Sequence, residues 1–165
     1  MMKLEILESL KTDVSRNTGD ETFPVLFSAY SSRTSESITG SGENLIFEDI
    51  LVNSGNAYNP TTGVFLAPLN GIYEFSFSCY HDFKSPKNVV EVMKNGRMEL
   101  AIQGSSMLGW HDGVESDKGL NFGSNWMMSL KKGDRINLRV SMGTVFSAKH
   151  ANKIFTGKFL IQVEK

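Results

Sequence analysis

Three acids fall within six residues at Asp112, Glu115 and Asp117, directly after Trp110 and His111, in the stretch G-S-S-M-L-G-W-H-D-G-V-E-S-D-K-G-L-N-F-G from Gly104 to Gly123. Carboxylate oxygens at that density are hard ligands suited to calcium. An indole between glycine and histidine on a connecting segment is a platform on which a sugar or a protein side chain can stack. Both features have a plainer reading as well: loop acids are commonly solvated, and a tryptophan can fold back as a cap on the core. The candidate metal ligands are therefore Asp112, Glu115 and Asp117, and the candidate ligand contacts are Trp110 and His111. Covalent and acid-base chemistry finds less support. His81, His111 and His150 are widely separated, and none stands at a triad-like spacing from an acid or nucleophile. No G-x-S-x-G, H-E-x-x-H, P-loop or dinucleotide-binding glycine pattern occurs. Cys79, the single cysteine, alternates with Tyr73, Phe75 and Phe77 and so belongs to an apolar face, where a thiol behaves as a small apolar group. The expectation is a protein that binds and does not catalyse.

The elements that must position these residues are strands. From Phe23 onward short β-type runs alternate with turn residues: Val25 to Tyr30, Leu45 to Val52, Gly63 to Ala67, Gly71 to Tyr80, Asn88 to Met93, Arg97 to Gln103, Asn125 to Leu130, Arg135 to Met142 and Lys153 to Val163. Asn95-Gly96, Lys132-Gly133-Asp134 and Pro68-Leu69-Asn70-Gly71 are explicit turn signals. Gly104 to Gly123 is then the longest connection, and long connections on a rigid scaffold are where binding residues concentrate. Met98, Leu100 and Ile102, and again Ile136, Leu138 and Val140, place apolar residues on one side of their strands. Val25-Leu26-Phe27, Trp126-Met127-Met128 and Phe159-Leu160-Ile161 are apolar on both sides. A sandwich covers only one side of each sheet, so those three runs call for cover from a neighbouring chain. Lys131, Arg135 and Arg139 read as a solvated face.

The 165 residues suffice for one domain with its own core. Seventeen Lys and Arg balance eighteen Asp and Glu, with no basic run, which argues against nucleic acid as a partner. Apolar stretches of only a few residues are too short for a membrane-spanning helix, and the first residues lack the apolar core of a signal peptide, so a secreted chain would have lost its leader. Leu4, Leu7, Leu10 and Val14 recur at helical spacing, giving residues 1–22 as a short helical or disordered stub and linker ahead of a domain over 23–165.

One stretch identifies the architecture. F-E-D-I-L-V-N-S-G-N-A-Y-N-P-T-T-G-V-F-L-A-P-L-N-G-I-Y-E-F-S-F, from Phe47 to Phe77, resembles the signature of the complement C1q globular-head domain. Its marks are Phe47, Asn53 and Gly55, Tyr58, Gly63 with Phe65, Ala67-Pro68, and Gly71 with Tyr73 and Phe75; further similarity lies at Phe27-Ser28-Ala29, Asn95-Gly96, Leu130 with Lys132-Gly133-Asp134, and Phe155, Gly157 and Leu160. The resemblance implies an all-β fold, a ten-stranded jelly-roll β-sandwich of two antiparallel sheets shared with the tumour necrosis factor family. It implies an extracellular homotrimer with Tyr30, Met127 and Leu160 toward partners. It also implies binding of microbial, glycan or protein ligands in innate immunity, with a trimeric signalling ligand for a cell-surface receptor or a structural extracellular-fluid protein as alternatives. Several relatives hold calcium through acids in the connection that matches Gly104 to Gly123, but Leu120 stands where many carry an acid.

Overall fold

The computed structural model describes residues 25–33, 38–40, 42–81, 87–104, 120–147 and 153–163. Twelve strands and no helix occur among them: β1 (Leu26–Ser31), β2 (Ile38–Thr39), β3 (Asp49–Ser54), β4 (Tyr58–Asn59), β5 (Val64–Leu66), β6 (Gly71–His81), β7 (Asn88–Lys94), β8 (Arg97–Gly104), β9 (Leu120–Leu130), β10 (Arg135–Met142), β11 (Thr144–Phe146) and β12 (Lys153–Gln162). They form an all-β sandwich of two antiparallel sheets, as expected. The five-stranded sheet runs β4-β5-β10-β7-β8. In the seven-stranded sheet β3, β1, β12 and β6 lie side by side, β9 pairs with the far side of β6, and β11 with β2 continues beyond β12.

Alternation decides which side chains meet between the sheets. Along β6, Tyr73, Phe75, Phe77 and Cys79 are buried, and so are Ile136, Leu138 and Val140 along β10. At the centre Phe27 stacks on Tyr58 with ring centroids 4.8 Å apart and meets the edge of Phe155 at 5.0 Å. Gly157 makes this ring packing possible. It lies between Phe27 and Phe75 in register. A Cβ there would run into the Phe27 ring and come within 2.7 Å of Phe75 Cδ1.

The strand predictions differ from the structure in instructive places. Leu45 to Val52 is not one strand: residues 45–48 lie outside regular pairing, and β3 begins at Asp49. Leu45 and Phe47 are fully buried, the Leu45 amide donates to the Leu138 carbonyl at 2.7 Å, and both backbone groups of Phe47 bond the Tyr58 hydroxyl. Backbone bonding there is satisfied without a ladder. β9 starts at Leu120 and not Asn125, because β6 is long enough to pair its whole length. Met98 is exposed, against the alternation assigned to it. Pairing of β7 with β8 shifts between Val92 and Met93, leaving Glu99 as the extra residue and turning Met98 to the outer side. Arg139 is not merely solvated, since its Nε lies 2.6 Å from Glu91 Oε2. Short β2, β4 and β11 add to the nine predicted strands.

Candidate functional site

The side of the seven-stranded sheet turned away from the core is uncovered among the described residues and carries exposed apolar side chains, among them Met127, Val52 and Ile161. Registers place its side chains in rows. One row runs Ser54 on β3, Leu26 on β1, Lys158 on β12, Glu74 on β6 and Met127 on β9. The next runs Val52, Ser28, Thr156, Ser76 and Asn125. A further row holds Tyr30, Ile154, Ser78 and Gly123. Beyond the first row, Ile161 faces Ile72. Cross-strand bonds tie the middle together: Lys158 Nζ is 2.7 Å from Glu74 Oε2, and the Ser76 and Thr156 hydroxyls are 2.6 Å apart.

Large apolar side chains stand exposed at the opposite edges of this sheet. On β9 Met127 is 67% exposed, and on β3 Leu51 is 68% exposed with Ile50 and Val52 beside it. The sequence-predicted contacts Tyr30 and Met127 both lie on this side, in different rows. Leu160 sits at the register shift between Phe159 and Ile161, at the rim of the same surface, and is partly exposed. Sequence reasoning missed the β3 residues and the Glu74–Lys158 pair. The polar alternation Glu74, Ser76, Ser78 was visible, but its partner strand was not.

The second region that the sequence singled out springs from one end of the sandwich. Trp110, His111, Asp112, Glu115 and Asp117 lie outside the described residues, as do residues 1–22. Gly104 and Leu120, which flank the undescribed 105–119, pair with Asn88 and His81. Asn88 and His81 are buried and bonded to each other, Nδ2 to Nδ1, at 2.8 Å. The Thr144 amide donates to Asn88 Oδ1 at 2.9 Å, which fixes the amide so that Nδ2 donates to His81. Ser31, Ser147 and Lys153 complete a buried polar layer, in which Ser147 Oγ donates to the Ser31 carbonyl at 2.7 Å and accepts from the Lys153 amide at 3.2 Å. Burial pushes the neighbouring Cys79 thiol well above its ordinary range, against the opposing pull of the Lys153 ammonium, so the thiol stays protonated and unreactive. Among the described residues no group of three or more His, Cys, Asp and Glu side chains could hold a metal.

Residues 26–161 match the family model for the C1q domain. The human (Homo sapiens) complement C1q tumor necrosis factor-related protein 3 is 26% identical over 141 residues, covering 86% of this chain and 54% of the relative. Protein HP-25 homolog 1 of Bos taurus is 30% identical over 131 residues, covering 76% of this chain and 54% of its own length. The chain thus spans about half the length of these curated relatives. Among solved structures, the globular domain of zebrafish complement 1qA protein superposes with a TM-score of 0.63 at 17% identity, covering 84% of this chain and 99% of that one. The Eiger TNF of S. frugiperda gives 0.63 at 14% identity, covering 87% and 96%. These two likenesses concern the fold.

Proposed function

Since the chain belongs to the C1q domain family, we propose that it is a non-enzymatic extracellular recognition module that works as a homotrimer and binds a glycan, a microbial surface or a protein. The observation that carries the assembly is the pair of unlike apolar patches at opposite edges of one sheet, Met127 on β9 and Ile50, Leu51 and Val52 on β3. A contact that joins two different patches is heterologous, and a heterologous contact that closes produces a ring, not a two-fold dimer. A specific contact of this kind buries on the order of 800 Å² per partner. Three copies is the number that the family resemblance implies.

Ligand binding is assigned to the connection after Gly104, with Trp110 and His111 as contacts and Asp112, Glu115 and Asp117 as a calcium set. Its support is chemical: the acids are dense, and the residues flanking the connection pair with His81 and Asn88, which are buried and bonded to each other. The experiment is a screen of glycans and bacterial surfaces against the assembled protein, with Trp110→Ala/His111→Ala as the control and millimolar calcium present or absent. Saturable binding lost in the double variant supports the reading. No binding to any glycan or microbe, together with tight binding to one receptor ectodomain, replaces it with a signalling ligand.

A further inference from the structure

Lys158 and Glu74 are the only charged residues in their row of the uncovered sheet surface, and they occupy its two central strands. Leu26 and Met127 flank them across the sheet. Their nearest neighbours along the strands on the same side are Ile72, Ser28, Ser76, Thr156, Asn125 and Ser129, none of which carries a charge. The pair therefore lies between the two apolar edges, with Glu74 directly beside Met127 and β1 separating Lys158 from β3. In the single chain its side chains are 58% and 27% exposed, so water screens the 2.7 Å contact, and an exposed ion pair of this kind adds little to the stability of the fold.

Covering the surface changes that balance. Two opposite charges held in contact present no net charge to an arriving surface, and they can be stripped of water together. Either charge alone would be desolvated without compensation. From this we infer that the Glu74–Lys158 pair is the selection key of the self-assembly surface, with a second copy of this chain as the occupant. The pair sets which surfaces can seal over it and rejects those that bring an unbalanced charge. A copy of this chain brings the balanced Glu74–Lys158 pair to the middle strands of the contact, and the remaining charge of the described rows, Asp49, lies apart at the β3 edge, where it accepts from Ser32. The inference rests on the self-assembly proposed above.

The test is sedimentation equilibrium over a dilution series of the full chain, alongside thermal melting of the dissociated chain. Glu74→Met and Lys158→Met each leave one charge unpaired. Each is expected to weaken association at least tenfold while leaving the melting curve of the dissociated chain nearly unchanged. Glu74→Gln, which keeps the shape and removes only the charge, carries the same expectation. The double variant Glu74→Met/Lys158→Met should associate as tightly as the original chain. It should also admit tagged Glu74→Lys chains into mixed assemblies more readily than the original does, since the pair that rejects them is gone; equal admission would overturn the inference. Single variants that associate like the original would overturn the inference and leave self-assembly intact. An original chain that sediments as a single copy at every concentration would instead overturn the self-assembly reading itself.

Discussion

Two tyrosines solve the same problem in the same way. The Tyr58 hydroxyl donates to the Phe47 carbonyl at 3.3 Å and accepts from the Phe47 amide at 3.2 Å. The Tyr73 hydroxyl does so for Leu69, at 2.9 and 3.2 Å. Each pins a chain segment that has no strand partner of its own, and burial pushes the phenol of Tyr58 up and keeps it protonated and able to donate. Tyr58→Phe is predicted to destabilise the domain by about 1–3 kcal/mol, because both backbone groups of Phe47 lose their partner in a buried place; a denaturant midpoint equal to that of the original chain would refute it. Asp134 gives a second prediction at this scale. Burial pushes its carboxyl up, but the hydrogen bonds from Asn95 Nδ2 and the Lys131 amide, together with the Lys94 ammonium, outweigh burial and hold it below the usual range. A carboxyl lowered in the folded state adds stability above its unfolded value, about 3.9, and that contribution is lost as pH falls through the folded value. Asp134→Asn should therefore be less stable than the original at neutral pH, by about 1–2 kcal/mol. The gap should close on acidification below the folded value, and one that stays constant with pH would exclude this account.

At the level of elements, the conformation of β12 depends on Gly157. An alanine there overpacks the Phe27 and Phe75 rings, which predicts a loss of about 1–3 kcal/mol in chemical unfolding. A variant as stable as the original would mean that the rings move aside freely. What the sequence made legible follows the same logic. Period-two alternation announced β6 and β10, since Tyr73, Phe75, Phe77 and Cys79, like Ile136, Leu138 and Val140, all point inward. The start of β9 was illegible because Asn121, Gly123 and Ser124 are weak strand formers held there by pairing with β6, and a Cβ at Gly123 would strike the Phe77 carbonyl oxygen. β2, β4 and β11 are too short to leave any periodic trace. In the candidate site Met127 was legible, because an apolar residue between Trp126 and Met128 must face something other than the core. The Glu74–Lys158 pair was not, since nothing local says that β12 lies beside β6.

For the molecule as a whole, assembly is the property on which the other readings depend. Met127→Asp places a carboxylate on an apolar edge that is already 67% exposed in the single chain. It should leave the chain folded, within about 0.5 kcal/mol, yet shift its sedimenting mass toward 18.3 kDa. A full-sized assembly from this variant would place the contact elsewhere. The free side of β3 carries a consequence of a different kind. Among the described residues only β1 pairs with this strand, so a row of its backbone amides and carbonyls next to Ile50, Leu51 and Val52 has no strand partner there. Such an edge is a template for amyloid-like growth, which native sheets commonly blunt with charge, proline or a bulge, and β3 carries one such bulge at Leu51, where its pairing with β1 shifts. Newly made copies that have not yet met their partners would be the vulnerable species. Dilute, assembly-deficient Met127→Asp should therefore form thioflavin-positive fibrils faster than the original chain, and adding Leu51→Lys should slow them; equal fibril growth in all three would show that the open edge is harmless.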